Sequence, residues 1–119
     1  MKPETLRLAE RTAAAILSGL ENTRPLPARI VLAKYETQHD YETLRPEDKP
    51  ALLKDHTALI EAIETKLATH LHMAGIRIET PVLNAAAYLR WLHANHLKNN
   101  DPANRARFIS NPPTTQSKP

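Results

Sequence analysis

Trp91 is the only tryptophan of the chain, and it stands in its most basic third. Arg90, Lys98, Arg105 and Arg107 surround it, with Tyr88 one helical turn before it. On a helix, Trp91 falls opposite the apolar stripe of Val82, Ala86 and Leu89, beside Asn84, Asn95 and Lys98. A large aromatic on the polar side of a helix invites a partner. An aromatic flanked by Arg and Lys carries the chemistry of single-strand binding, in which rings stack on bases and cations meet phosphates. The contact surface expected on this ground is Tyr88, Arg90, Trp91, Lys98, Arg105 and Arg107. The alternative is that a fifth helix folds back and Phe108 or Ile109 covers Trp91, making it core.

Charge offers a second surface. The formal net charge of +3 divides into +3 over residues 1–34, −5 over 35–64 and +5 over 65–119. The acidic segment contains Glu36, Asp40, Glu42, Glu47 and Asp48, which could meet a basic protein partner or be a plain solvated face. Six histidines raise the question of a metal. His70 and His72 point to opposite sides of a helix, whereas His93 and His96 share a face. An antiparallel pairing of the third and fourth helices would bring His56 near them. Against this, no carboxylate follows these histidines at helical spacing, and single half-buried histidines commonly bond within the core.

Several function classes are excluded or disfavoured. There is no cysteine, so disulfides, thiol catalysis and cysteine-bound metals are out. Two glycines are too few for a phosphate-cradling loop. Glu61 and Glu64 form a carboxylate pair on the solvent side of a helix, where burial cannot raise a pKa. No nucleophile motif occurs around the few serines. A binding module without enzymatic activity or cofactor is therefore expected, acting as an accessory subunit of a nucleic-acid-handling assembly. A protein adaptor or inhibitor using the acidic segment is the alternative, and a histidine metalloprotein is the second. The run Leu83-Asn84-Ala85-Ala86-Ala87-Tyr88-Leu89-Arg90-Trp91-Leu92 resembles the late helix of small helical subunits in RNA-guided (CRISPR) effector complexes. That likeness spans ten of 119 residues and adds a little weight to nucleic acid without assigning a family.

The elements that must position these residues read as helices. At 119 residues and 41% hydrophobic content, the chain suits one domain over 1–110, followed by a disordered, apolar-free tail over 111–119. Pro3, Pro27, Pro50, Pro81 and Pro102 each precede a stretch of helical character, where a missing N–H is harmless. Helix 1 is predicted over Pro3–Leu20, with small Ala9 and Ala13 allowing close approach of a neighbour. Helix 2 starts near Pro27 and breaks near Thr37–Asp40. Helix 3, over Pro50–Ala74, carries the stripe Leu52, Leu53, Leu59, Ile60, Ile63, Leu67, Leu71 and Ala74. It ends at Gly75 with Leu71 and Ile76 placed for a Schellman contact. Ile76–Glu79 alternates like a strand but has no evident partner, so it is taken as a connector. Helix 4 runs over Pro81–Asn99 and buries Val82, Leu83, Ala86, Leu89 and Leu97; a short helix 5 covers Pro102–Ile109. The predicted fold is an all-α bundle of four to five helices with an antiparallel helix 3–helix 4 hairpin. No internal repeat is apparent. No apolar run reaches the roughly 18–20 residues of a membrane span, and nothing at the N-terminus reads as a signal peptide, so a cytoplasmic protein is expected.

Overall fold

A computed structural model describes residues 2–47, 52–98 and 100–112. Among them, five helices alternate with four short strands: α1 (Pro3–Glu21), β1 (Arg29–Val31), β2 (Lys34–Tyr35), α2 (Gln38–Leu44), α3 (Leu53–Met73), β3 (Arg77–Glu79), β4 (Val82–Leu83), α4 (Ala85–Ala94) and α5 (Pro102–Ser110). Although 62% of these residues are helical, the all-α bundle is overturned: the fold is mixed α/β, with two parallel two-stranded sheets.

β1 pairs with β3, Ile30 opposite Ile78, and β2 pairs with β4, Tyr35 opposite Leu83. The gap between the sheets is bridged, because Leu32 N–H donates to the Glu79 carbonyl and Lys34 N–H to the Pro81 carbonyl, both at 2.8 Å. The result is nearly one continuous parallel ribbon. The segment Ile30–Ala33, expected as the first turns of a helix, is the missing partner of Ile76–Glu79. A short apolar run does not tell helix from strand by periodicity, and proline fits a strand entry as well as a helix start. Parallel strands require a long crossover, and here α2 and α3 supply it.

Two cores flank the ribbon. Ala9 and Ala13 of α1 pack against Leu59, Ile60, Ile63, Leu67 and Leu71 of α3, together with Leu32 and Ile76. The two alanines are buried at this contact, as their size predicted. Ala33, Tyr35, Tyr41, Leu44, Leu83, Tyr88, Leu92 and Phe108 form the second core between the ribbon, α2, α4 and α5. A two-stranded ribbon is marginal alone; burying its side chains in both cores is what makes strand beat helix over residues 29–35.

The predicted end of α3 is present in full. Gly75 takes φ +76°, Ile76 N–H donates to the Leu71 carbonyl at 2.8 Å, and Gly75 N–H donates to that of His72 at 3.0 Å. Leu71 and Ile76 are both buried. The stripe itself is shorter than predicted, since Leu52 and the C-cap residue Ala74 are both exposed rather than part of it. α1 and α5 begin at Pro3 and Pro102 as expected, and Asp101 accepts from Asn104 N–H as the N-cap of α5.

α4 departs further from expectation. It starts after β4, capped by Asn84, whose side chain accepts from Ala87 N–H. It buries Ala85, Tyr88 and Leu92, leaving Val82 and Leu89 59% and 57% exposed and Ala86 also outside. No α3–α4 hairpin forms: β3 and β4 separate the two helices, α3 packs chiefly on α1, and α4 meets α2 and α5. The architecture also repeats. Helix, ribbon strands and a capped short helix occur as α1–β1–β2–α2 and again as α3–β3–β4–α4, with every ribbon pair 48 positions apart, from Arg29 with Arg77 to Tyr35 with Leu83. Of the predicted tail, Asn111 and Pro112 belong to the folded body and residues 113–119 lie outside the described ones. No described helix is long and apolar enough to cross a membrane.

Candidate functional site

α2 is short, but its side chains organise the helices around it. Gln38 Oε1 accepts from Leu53 N–H at 2.7 Å, at the start of α3. Asp40 Oδ1 accepts from Ala85 N–H at 2.9 Å, at the start of α4, while Oδ2 accepts from the Thr37 N–H at 3.1 Å and hydroxyl at 2.8 Å. Thr37 returns a bond by accepting from Asp40 N–H, closing a capping box. Burial of the Asp40 carboxyl works against its charge, but the bonds from Ala85 and Thr37, aided by the nearby His39, outweigh it and hold its pKa below the ordinary 3.8. Asp40 is only 7% exposed, so it belongs to the interior and not to an acidic docking face.

With α4 seated this way, Trp91 meets α5. Its indole lies nearly parallel to the Tyr88 ring (centroids 6.1 Å apart, planes at 20°) and tilted on Phe108 at 5.5 Å. Arg107 Cζ stands 5.4 Å from the indole centroid, within cation–π range. Phe108 therefore backs Trp91, as the core alternative expected, but the indole is only half-buried. Trp91, Ala106, Arg107, Ser110 and Asn111 line a shallow, open concavity of about 480 Å³. It offers an aromatic ring, a guanidinium, a hydroxyl and a carboxamide together.

The remaining residues of the expected contact surface divide between outside and inside. Arg90, Lys98 and Arg107 are exposed. Tyr88 is fully buried, and its hydroxyl donates to Asn100 Oδ1 at 2.8 Å. Burial chiefly, with the Asp101 charge, pushes the Tyr88 pKa above 10.0 despite the opposing Arg105 cation. Arg105 is 7% exposed and donates from Nη1 to the Asn100 carbonyl at 2.8 Å and from Nη2 to Glu47 Oε2 at 2.8 Å. Tyr88 and Arg105 thus tie the loop before α5 to the core. On the acidic side, Glu36 and Glu42 are exposed, Glu42 accepts from Gln38 Nε2, Glu47 is engaged by Arg105, and Asp48 lies outside the described residues.

The histidines are not gathered. His56 is buried with its ring centroid 5.3 Å from Tyr35 and 4.8 Å from Tyr41. His93 and His96 are exposed at the far end of α4, where His96 adopts φ 57°. Among the described residues no group of three or more His, Asp or Glu side chains is arranged to hold a metal ion.

Two contributors escaped the sequence. Asn111, assigned to the tail, lines the concavity and accepts from Arg29 Nη2 at 2.8 Å, which brings a first-half arginine to its rim. No local pattern announces a contact between positions so far apart. The internal role of Asp40 did have a signal, the Thr37-Gln38-His39-Asp40 spacing of a capping box. No family model matches the chain, and no curated protein matches it.

Proposed function

We propose that this chain is a small non-enzymatic binding module for single-stranded nucleic acid, working within a larger assembly, with the Trp91–Arg107 concavity as its base-contacting site. One observation carries this: an indole fixed from behind by Tyr88 and Phe108 keeps part of its surface open, beside a guanidinium and two hydrogen-bonding side chains. A rigid ring beside a cation suits a base and its phosphate, and the shallow opening suits a polymer better than an enclosed small molecule. Arg90 and Lys98 add exposed cations on and after α4. The acidic adaptor surface is weaker, because Asp40 caps α4 and Glu47 is paired with Arg105.

Trp91 is its own probe. Its emission is followed while single-stranded and duplex oligonucleotides are added at low and physiological salt. Quenching by single strands that salt reverses is the expected result, since counterion release makes phosphate contacts salt-sensitive. Labelled-oligonucleotide anisotropy then compares Arg107→Gln, which leaves the core intact, with Trp91→Ala, expected to lose roughly ten- to a hundredfold in affinity. Emission indifferent to every oligonucleotide at low salt overturns the proposal.

A further inference from the structure

Arg29 and Arg77 occupy paired positions on β1 and β3. Adjacent strands lie about 4.8 Å apart, so one carboxylate can reach both guanidiniums, and Glu79 does: Arg29 Nη1 is 2.6 Å from Oε1 and Arg77 Nη2 is 3.4 Å from Oε2. Two cations share one anion, which leaves the trio with a net positive charge. The Arg77 side chain is 70% exposed. On one side, Arg29 holds Asn111, a wall of the Trp91 concavity. On the other, Arg77 and Glu79 enter a second open concavity of about 370 Å³ with His72. Arg107, Asn111, Arg29 and Arg77 therefore follow one another from α5 to the end of the ribbon, next to the C-terminal end of α3.

We infer that Arg29 and Arg77 form a second phosphate site on the same track, which Glu79 fills in the free protein as an internal stand-in for the phosphate. The inference rests on the single-strand binding proposed above and extends it from one base contact to a longer strand. A carboxylate and a phosphate diester both offer paired oxygens to a guanidinium. An incoming phosphate takes over the N–H donors of both arginines, and Glu79, already partly exposed, turns to water.

The test uses 5′-labelled oligothymidylates of about 4 and about 12 nucleotides, within the range one binding fold covers, in anisotropy titrations over a salt series. Arg77→Gln and Glu79→Gln alter exposed or half-exposed side chains, and unchanged melting temperatures control for folding. For the longer oligomer, Arg77→Gln should reduce the slope of log affinity against log salt by about 0.7, the value of one single-strand phosphate contact. Glu79→Gln should raise its affinity about two- to fivefold, the scale of an exposed ion pair. The short oligomer, held at Trp91, should respond to neither. If both oligomers need Trp91 but neither substitution changes the longer one, the second site is overturned and the first stands. If the wild-type protein binds neither oligomer, both fall.

Discussion

Replacing Asp40 with alanine strips acceptors from two places at once. Ala85 N–H is one of the unpaired donors that every helix N-terminus leaves, and it sits in a buried residue where water is a poor substitute. Losing its partner costs about 1–3 kcal/mol. The Thr37 N–H also loses its acceptor, but Thr37 is exposed, so breaking that half of the capping box adds about 0.5–1 kcal/mol. Removing a buried carboxylate relieves some desolvation. The bonds from Ala85 and Thr37 to the charged form, which hold its pKa low, outweigh that relief. A net loss of about 2–3 kcal/mol follows, a large share of the roughly 5–15 kcal/mol typical of a domain. Asp40→Asn keeps one carbonyl oxygen and should lose about 1–2 kcal/mol.

The pH dependence has a definite sign. Because the folded carboxyl titrates below its ordinary 3.8, Asp40 contributes its full stabilisation above that value and loses it as pH falls through the folded pKa. Urea unfolding followed by far-UV circular dichroism, at neutral pH and again at about pH 3 and below, should therefore show the gap between wild type and Asp40→Asn closing in acid. A gap that stays constant down to about pH 2, or an Asp40→Ala protein within about 0.5 kcal/mol of wild type at neutral pH, would refute the account of Asp40 as the charged cap of α4.

Two further substitutions probe neighbouring features. His96 closes α4 in the left-handed region, with Leu97 N–H donating to the Leu92 carbonyl and His96 N–H to that of His93, repeating at α4 what Gly75 does at α3. His96→Gly should raise stability by about 0.5–1 kcal/mol in thermal unfolding, and a drop instead would mean that the histidine does more there than turn the chain. Arg105 and Arg107 are two positions apart in opposite surroundings, the first buried and the second exposed. Arg105→Gln should destabilise by about 1–3 kcal/mol through its bonds to Asn100 and Glu47. Arg107→Gln should leave the melting temperature nearly unchanged and weaken oligonucleotide binding; equal effects of the two on stability would contradict this division.

Asp40 and Gln38 also explain why a seven-residue helix matters. Each reaches across to the first turn of a different helix, Asp40 to α4 and Gln38 to α3, so α2 fixes where both begin. The start of α4 in turn decides which of its faces meets Phe108, and hence how Trp91 is presented. The candidate site depends on a polar bond at the N-terminal end of α4 as much as on the aromatic residues that line it.

Local chemistry was enough to place α1, α3 and α5, because their boundaries are short-range devices: Pro3 and Pro102 at helix starts, Asp101 as a cap, Gly75 with Leu71 and Ile76 at an end. The close approach at Ala9 and Ala13 follows equally from size alone. The strands were beyond such reasoning, because Ile30–Val31 becomes β only when Ile78 lies beside it, 48 positions on, and both isoleucines can pack, half-buried, against the α1–α3 core. Helix 4 carries two apolar stripes of similar period, Val82, Ala86 and Leu89 on one side and Ala85, Tyr88 and Leu92 on the other. Periodicity ranks neither. Tertiary contact chose the second, since Tyr88 and Leu92 find Phe108, Leu83 and Tyr35 in a common core and Asp40 anchors the helix at Ala85. The same contacts sorted the cations. Arg105 was drawn inward by Asn100 and Glu47, while Arg107, facing the other way on α5, stayed with Trp91 at the surface. Burial and hydrogen bonding between distant segments, which one-dimensional spacing does not encode, separate the buried, structural Arg105 from the exposed Arg107.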